Sequence, residues 1–373
     1  FPPQTGVGVS LQLVPADALL PALLADTGPD ISLGMTQADP LNLALRHALT
    51  DLSAFGDYTE VAGRFLPEAI VPFQLAGGIY ALPETQSFPM LFYRKDILAE
   101  LGVATEDLNT WDSLLQKALP VLQKNALNIG AVLNINPYLT LFYQRGGTLY
   151  NDTETASGLD TPEAIESMEL YTMLYNQYGL PYQFDFANRF RSGEMPVVIT
   201  DYLSYNQLTV FAPEIKGLWG MLPVPGTVRE DGTVSHAAPS TVTGAALMAS
   251  APDQKAGWEF LKWWTSAEIQ SSYGRDLESV VGSAARYNTA NQEALNSVQW
   301  DYGIKQQIKA QAAEALAVPE APGGYFPSRQ FDFAFRNIAF YGDNTRTALE
   351  EAAQAINKEL SKKQKEFGLT VGT

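Results

Sequence analysis

The residues best suited to chemistry in this 373-residue chain lie in a polar stretch between two apolar runs. Residues 84–87, which include Glu84 and Gln86, separate the run at 79–82 from the run at 90–93. Both runs predict strands, and the second is apolar on both faces, as a fully buried strand is. A polar segment between two buried strands either carries the chain from one hydrophobic core to another or contacts a ligand.

A second candidate group follows the apolar run at 196–200, which also predicts a buried strand. Asp201 comes directly after it, with Tyr202 and Tyr205 close behind. A carboxylate at that place either caps the next turn or accepts hydrogen bonds from a ligand. Glu84 and Asp201 are the carboxylate pair to consider for catalysis, because glycoside hydrolysis needs two carboxylates about 5 to 10 Å apart.

Aromatic residues in or beside predicted loops indicate the class of ligand. Sugar rings offer apolar C–H faces for stacking and hydroxyl groups for carboxylates, amides and guanidinium groups. Such polar partners are available at Gln86, Asp201 and Arg329. The loop aromatics are Tyr138, Tyr143, Tyr202, Tyr205, Trp219, Tyr325 and Phe326.

Composition excludes several other classes of function. The formal net charge is −17, from 41 acidic and 24 basic residues, which argues against a nucleic acid or an anionic membrane as partner. The chain has no cysteine and only two histidines, His47 and His236, so we expect no disulfide, no metal site and no cofactor. The triplet Gly6-Val7-Gly8 lacks the third glycine of a dinucleotide fingerprint and precedes a predicted strand instead of following one. No apolar run reaches the roughly 18 residues of a membrane span.

The elements that must position these residues alternate between strand and helix, which predicts α/β architecture with parallel strands. A strand is predicted at 7–14, a helix at 17–24 and a second strand at 31–33. Pro83 is expected to end the strand that begins at 79, because proline has no N–H to donate. Ligands of such sheets bind beyond the carboxyl ends of strands. Three polar residues follow the strand at 31–33: Thr36, Gln37 and Asp39.

Several helix starts are marked by capping side chains. Thr110 and Thr161 are each predicted to cap a helix, and Pro162 follows the second at the favoured first position. Residues 265–268 and 347–350 match capping boxes. The final helix is predicted over residues 347–367. Its apolar stripe is formed by Leu349, Ala352, Ala353, Ile356 and Leu360.

Short motifs that occur in order along nearly the whole chain resemble family 1 extracellular solute-binding proteins of ABC importers, the maltose-binding-protein-like group. The motifs are TGVGV at 5–9, TGPDI at 27–31, GGIYALP at 77–83, FYRKD at 92–96, RSGEM at 191–195 and AGWEFL at 256–261. The resemblance implies a periplasmic-binding-protein-like type II fold, with two α/β lobes joined by hinge crossovers. It places residues 1–86 with 244–284 in the first lobe and residues 87–243 with 285–373 in the second.

The resemblance also implies a ligand site in the cleft between the lobes. Combined with the loop aromatics, it gives this candidate set: Thr36, Gln37, Asp39, Glu84, Thr85, Gln86, Asn136, Tyr138, Asp201, Tyr202, Tyr205, Ser240, Thr241, Tyr325 and Arg329.

The chain departs from the family pattern in three ways. The strand and helix that begin the family precede the segment matching 1–6, so we expect them upstream, as in long multidomain surface proteins of Gram-positive bacteria. The family's lipoprotein cysteine is absent, so any anchor is expected outside this segment. Asp332 stands where the maltose-binding pattern has a tryptophan, so the identity of the sugar does not transfer.

We therefore expect a non-catalytic, monomeric, extracellular protein associated with the cell surface. It would capture a small carbohydrate, an oligosaccharide, and deliver it to an ABC permease. Three alternatives remain open at this stage. One is a peptide or amino-acid derivative, with Arg329 and the acidic residues pairing with its termini. Another is a glycan-binding surface module without a transporter. The last is a glycoside hydrolase using Glu84 and Asp201.

Overall fold

The computed structural model describes residues 1–25, 27–131, 135–151 and 154–369, which contain both strands and helices. The predicted parallel sheet is wrong, because most of the described strand pairs are antiparallel. The strands are β1 Ile31–Met35, β2 Gln74–Leu75, β3 Gly78–Ile79, β4 Leu82–Ser87, β5 Pro89–Arg94, β6 Ile129–Ala131, β7 Val197–Asp201, β8 Trp219–Leu222, β9 Thr227–Val228, β10 Val234–Ser235, β11 Ala238–Leu247 and β12 Ala315–Ala317.

The helices are α1 Pro2–Thr5, α2 Leu19–Leu24, α3 Ala38–Ala44, α4 Tyr58–Ala62, α5 Pro67–Ile70, α6 Lys95–Leu101, α7 Trp111–Ser113, α8 Leu119–Lys124, α9 Ile135–Gln144, α10 Pro162–Asn176, α11 Phe186–Ser192, α12 Ser204–Phe211, α13 Gln254–Trp264, α14 Ala267–Val281, α15 Gln292–Ser297, α16 Tyr302–Ala312, α17 Tyr325–Arg336 and α18 Thr345–Glu366. Short 3-10 and π-helical turns join several of them.

Strand β11 is the centre of the first sheet. It pairs antiparallel with β1 and β4 and parallel with β12. These partners occupy different parts of its length, since Leu247 lies opposite Ile31 of β1 while Ala238 lies opposite Ala315 of β12. The middle of β11 lies alongside β4. One long strand therefore connects three partners that lie far apart in the chain.

The second sheet has four strands in the order β6-β7-β5-β8. Strand β5 is antiparallel to both β7 and β8, and β6 is parallel to β7. Side chains of β5 alternate between two hydrophobic clusters, with Leu91 in one and Met90 and Phe92 in the other. Both faces of this strand are thus buried, as the uninterrupted apolar run at 90–93 predicts.

The two sheets meet where the chain passes from β4 to β5. Only Phe88 separates the two strands, yet β4 belongs to the first sheet and β5 to the second. A third segment runs along the free side of β4: the Gln86 N–H donates to the Asn288 carbonyl (3.0 Å) and the Ala290 N–H donates to the Glu84 carbonyl (2.8 Å). Strand β4 therefore lies between β11 and residues 288–290 at the crossing.

Separate hydrophobic cores give the molecule two α/β lobes. The first core gathers side chains that include Phe73, Leu82 and Leu247, and the second is built around the sheet that contains β5. The architecture of two α/β lobes joined by crossing strands is the predicted one. Ala290, which the proposed division places in the second lobe, packs in the first core. At the other end of the chain, Phe367 packs against a small cluster around α3.

The predicted strand at 7–14 is wrong. This segment forms no strand, and its apolar side chains are exposed, with Leu11 at 83% and Leu13 at 102% of full exposure. Alternation of apolar residues favours a strand only where a neighbouring strand is available to pair with it. No such partner for residues 7–14 occurs within the described ranges.

The prediction that Pro83 ends a strand is also wrong. Pro83 is the second residue of β4, which continues through the polar residues to Ser87. The pairing register between β4 and β11 shifts between Thr243 and Gly244, at the point where Pro83 is paired. An irregularity of this kind accommodates a residue that cannot donate a ladder hydrogen bond.

Two predicted caps are confirmed, and two are displaced. The Thr110 and Thr161 hydroxyl oxygens accept hydrogen bonds from the N–H groups of Ser113 and Ala164, and Pro162 begins α10. In the two boxes, however, the capping residue is Ser266 instead of Thr265 and Asn344 instead of Thr347.

Helix α18 begins at Thr345, two residues before its predicted start. Its capping residue is Asn344, whose Oδ1 accepts a hydrogen bond from the Thr347 N–H. Every residue of its predicted apolar stripe is buried. Across the described part of the chain, no helix combines the length and apolar character that crossing a membrane requires.

We expect Phe92→Ala to lower the free energy of unfolding by about 3–5 kcal/mol, because Phe92 is fully buried and the change leaves a cavity. Phe211→Ala is the matched control, since Phe211 lies in the same lobe but is 63% exposed, and we expect a change within about 0.5 kcal/mol. Denaturant unfolding of both variants provides the measurement. Equal losses would contradict the assignment of β5 to a core.

Candidate ligand-binding cleft

A cleft of about 280 Å³ lies between α3 of the first lobe and parts of the second. The first lobe contributes one side through α3, and the second contributes residues around 149–159 and 318–331 together with Ile356 of α18. The lining residues are Ala38, Leu41, Asn42, Leu149, Tyr150, Ser157, Leu159, Val318, Pro319, Glu320, Ala321, Gly324, Tyr325, Pro327, Ser328, Phe331 and Ile356.

The side of the cleft formed by α3 is positioned by a local cap. Asp39 Oδ2 accepts hydrogen bonds from the Thr36 backbone N–H (3.0 Å) and from the Thr36 hydroxyl (2.7 Å). These bonds fix the first turn of α3 directly after β1. Thr36 and Asp39 therefore have a structural role at the predicted site.

Gln37 connects three parts of the chain at the cleft. Its Nε2 donates to the Val318 carbonyl (2.7 Å) and to Glu320 Oε1 (3.1 Å). Its Oε1 accepts from the Val242 N–H of β11 (3.2 Å). One side chain thus fixes the start of α3 relative to both β11 and the segment that leads into α17.

Glu320 provides the one carboxyl group among the described lining residues. Its side chain is half-buried, and that burial raises its pKa, with the nearby charge of Asp39 acting in the same direction and the Gln37 hydrogen bond opposing it. Tyr150 lines the same cleft, and burial also raises the pKa of its hydroxyl, with Glu320 contributing.

Tyr325, at the start of α17, is a predicted site residue that does line the cleft, and it is 71% exposed. Arg329 lies one turn further along α17 and is exposed. Its guanidinium group lies over the Phe326 ring, 5.4 Å from the ring centre. Arg329 is not among the residues that line the cleft.

Glu84 lies in the hinge instead of the cleft. Its side chain is 3% exposed and accepts hydrogen bonds from the Gly34 N–H and from the Trp264 indole N–H, both at 2.5 Å. Burial raises its pKa, and both hydrogen bonds act in the opposite direction. Glu84 thereby joins the end of β1 to α13, which makes it a structural residue of the first lobe.

The other predicted residues of the crossing bond to one another between β4 and β11. The Thr85 and Thr243 hydroxyls are 2.6 Å apart, and Gln86 Nε2 donates to the buried Ser240 hydroxyl (3.2 Å). Thr241 is exposed, and its hydroxyl lies 3.0 Å from that of Ser87. None of these residues lines the described cleft.

Two predicted aromatic site residues lie in hydrophobic cores. Tyr138 has no exposed surface and packs against Phe142 and Phe331 in the second lobe. Tyr202 is 1% exposed, stacks on Phe88, and donates its hydroxyl to the Gln86 carbonyl (3.1 Å). Their predicted positions beside loops do not bring these rings into the cleft, so both are removed from the candidate set.

Asp201 and Tyr205 also have structural partners. Asp201 Oδ1 accepts a hydrogen bond from the Leu203 N–H (2.8 Å). Of the two roles that the sequence allowed for this carboxylate, a cap or a ligand contact, the hydrogen bond is that of a cap. Tyr205 packs edge-on against Trp300, and Arg286 lies over its ring. The side chain of Asn136, a further predicted site residue, lies outside the part of the chain that the structure describes.

Tyr143, a loop aromatic by prediction, lies within α9, where its buried hydroxyl donates to the Ala317 carbonyl (2.9 Å). Within the described ranges, no three His, Asp or Glu side chains are grouped to hold a metal ion.

Sequence reasoning missed most of the residues that line the cleft, among them Asn42, Tyr150 and Glu320. Tyr150 follows a Gly-Gly pair at 146–147, and Glu320 lies in the run Val-Pro-Glu-Ala-Pro at 318–322. Both are polar or aromatic residues beside turn signals, which is the same pattern that selected Tyr325. Asn42 lies in the middle of a short helix and carries no such signal.

The comparisons with known proteins agree with this architecture. Residues 4–313 match the family described as bacterial extracellular solute-binding proteins. A putative binding protein of Brucella abortus (strain 2308) is 27% identical over 235 residues, which is 59% of this chain and 56% of that protein. The chain therefore matches little more than half the length of this curated relative.

Solved structures extend the similarity to nearly the whole chain. The sugar-binding protein MalE from Xanthomonas citri superposes with a TM-score of 0.80 at 18% identity, covering 99% of this chain and 94% of that one. An ABC transporter solute-binding protein from Thermotoga lettingae, solved with bound α-D-tagatose, has a TM-score of 0.73 at 20% identity and covers 96% and 93%. At these identities the likeness establishes the fold, which is periplasmic-binding-protein-like. The family match covers most of the chain, and the protein belongs to the bacterial extracellular solute-binding proteins.

We expect Glu84→Gln to lower the free energy of unfolding by about 1–3 kcal/mol while leaving ligand affinity nearly unchanged. The glutamine amide has a single oxygen, so either the Gly34 N–H or the Trp264 indole loses its acceptor. Glu351→Gln, on the exposed face of α18, is the matched control and should have no measurable effect. Denaturant unfolding and calorimetry together separate this result from a role for Glu84 in binding.

The raised pKa of Glu84 also predicts the sign of a pH effect. The folded state holds this proton more tightly than the unfolded state does. The corresponding stabilisation is fully present below the unfolded pKa and is lost as pH rises through the folded pKa. Glu84→Gln should lack this component. If the free energy of unfolding falls equally with rising pH in the wild-type protein and in Glu84→Gln, the predicted contribution of Glu84 is contradicted.

Proposed function

We propose that this protein captures a small carbohydrate, an oligosaccharide, in the cleft between its lobes and delivers it to the permease of an ABC importer. The observation that carries the proposal is the composition of the cleft, where aromatic side chains of the second lobe and polar side chains of both lobes line one cavity.

The chemistry of the lining suits a sugar. Tyr150 and Tyr325 offer aromatic faces for C–H groups, while Glu320, Asn42 and Ser157 offer polar atoms to hydroxyl groups. A peptide would require a cation for its carboxylate, and no lysine or arginine occurs among the described lining residues. Arg329, the residue considered for that role, points its guanidinium at Phe326. These observations favour the sugar over the peptide.

The size of the cleft limits the bound part of the ligand. A volume of about 280 Å³ lies just below the range for small-molecule sites, which begins at about 300 Å³. A short saccharide fits such a volume. Because Tyr325 is exposed at its edge, the remainder of a longer chain would leave the cleft beside this residue.

Binding would be coupled to movement of the lobes about the crossing strands. A ligand that contacts α3 on one side and residues 318–331 on the other gains its full contacts only when the lobes are closed, and it therefore stabilises the closed arrangement. A micromolar affinity corresponds to about 8 kcal/mol, which a few ring contacts and charge-assisted hydrogen bonds can provide.

The similar proteins support the proposal through their own descriptions, since one is a sugar-binding protein and another an ABC transporter protein solved with α-D-tagatose. We further propose that the protein is monomeric and acts outside the cell in association with its surface. A non-transporting glycan-binding module would share the cleft. Binding of a purified permease complex to the liganded protein distinguishes the two.

The protein is proposed to have no catalytic activity. Glu84 and Asp201 are the candidate hydrolase pair. Glu84 accepts hydrogen bonds from the Gly34 N–H and the Trp264 indole in the first lobe, and Asp201 accepts one from the Leu203 N–H in the second lobe. Neither lines the cleft, where Glu320 is the one carboxyl group among the described lining residues.

Calorimetry against a panel of short oligosaccharides should give at least one ligand with micromolar affinity. For that ligand, we expect Tyr325→Ala to weaken binding by roughly 2- to 10-fold, the value of one aromatic contact. Tyr302→Ala is the matched control because Tyr302 is similarly exposed, at 78%, and does not line the cleft. A panel without any binding would refute the proposed function.

Gln37→Ala should weaken the same ligand several-fold, because it removes the hydrogen bonds that hold residues 318–320 beside α3. The unliganded variant should also show a larger radius of gyration in small-angle X-ray scattering, because these bonds hold the two sides of the cleft together. Gln354→Ala, at an exposed position of α18, serves as control. Unchanged affinity and unchanged radius would show that Gln37 does not hold the lobes.

A further inference from the structure

The charges around the cleft are unbalanced. Glu320 faces it, and Asp39 lies close enough to raise the pKa of Glu320. Among the described lining residues there is no lysine or arginine to offset this negative charge. A ligand enters a cavity whose fixed charge is entirely acidic.

Three basic residues have partners outside the cleft lining. Lys363 forms an ion pair with Glu366 at 2.8 Å. Arg46 donates to the Asn42 carbonyl at 2.6 Å, and Arg329 lies over Phe326. None of the three is among the described residues that line the cleft.

Glu320 has acceptor capacity left for a ligand. Its Oε1 accepts one hydrogen bond, from Gln37. Its Oε2 has no hydrogen-bond partner among the described residues and lies beside Gly324, where a side-chain Cβ would come within 2.8 Å of it. Glycine at this position keeps the space next to Oε2 open. This oxygen can therefore accept a hydrogen bond from a ligand in the cleft.

We propose that Glu320 makes the cleft selective for saccharides that carry a basic nitrogen, and that it excludes acidic saccharides. This inference rests on the proposed function. A protonated amine supplies a hydrogen-bond donor for Oε2. It also brings a positive charge that balances the negative charges of Glu320 and Asp39. A uronic acid or sugar phosphate would bring a second negative charge into the same cavity, where like charges repel strongly. A neutral sugar satisfies the hydrogen bond but leaves the charge in place.

The test compares three ligands of matched length by calorimetry near neutral pH: a glucosamine oligosaccharide, its N-acetylated form and the corresponding uronic-acid oligosaccharide. We expect the amine to bind about tenfold more tightly than the N-acetylated ligand, and the acid to bind most weakly, in keeping with a charge-assisted hydrogen bond. Raising the salt concentration should reduce the preference for the amine.

Glu320→Gln tests the assignment directly. Glutamine keeps an acceptor for Gln37 but removes the charge, so the amine and its N-acetylated form should bind with similar affinity. Glu351→Gln, on the exposed face of α18, should retain the preference. Thermal unfolding establishes that the variant is folded.

The outcomes separate the two proposals. If neutral or acidic saccharides bind as tightly as the amine, or if Glu320→Gln keeps the preference, the charge selectivity is refuted and the carbohydrate-binding function stands. If no saccharide of any charge binds to the wild-type protein, both proposals are refuted.

Discussion

The pairing of β4 with β11 is the constraint on which the rest of the structure depends. Strand β11 pairs with β1 at one end and with β12 at the other, and β4 leads through one residue into β5, an inner strand of the second sheet. Because backbone hydrogen bonds fix the register of these strands, the two cores cannot slide past each other without breaking the ladder. Relative motion is restricted to bending and twisting at the crossing. The polar side chains there, such as those of Thr85 and Thr243, bond to each other across the ladder.

Buried polar side chains transmit this constraint to the cleft. Glu84 accepts from Gly34 at the end of β1, two residues before the Thr36–Asp39 cap that begins α3. Gln37 then connects the same turn to β11 and to the segment that precedes α17. The position of α3 relative to the second lobe follows from Gln37, which bonds to residues on the other side of the cleft. Glu84 stabilises the end of β1 within the first lobe and does not line the cleft.

The cleft itself combines aromatic surface with an acidic group. Tyr150 and Tyr325 provide ring faces, and Glu320 provides a carboxyl group with one oxygen free for a ligand. Both features suit the proposed saccharide ligand, and the proposed role of the charge is to distinguish saccharides that differ in a single substituent. The same Gln37 that holds the lobes together also bonds to Glu320, so the group that would contact the ligand is coupled directly to lobe position.

The sequence by itself determined the mixed α/β composition, the buried run of β5, the stripe of α18 and the caps at Thr110 and Thr161. These features depend on local periodicity and on hydrogen bonds within a few residues. It also identified Gln37, Asp39 and Tyr325 at or beside the cleft. It could not determine which polar residues face the ligand, because that depends on partners far away in the chain. Glu84 meets Trp264, Gln86 meets Ser240 and Tyr138 meets Phe331 only after folding, and each is occupied by that contact. Residues 7–14 show that a strand, too, depends on distant partners. Alternation in the sequence specifies which face would be apolar, but a strand forms only where a neighbouring strand is available to pair with it.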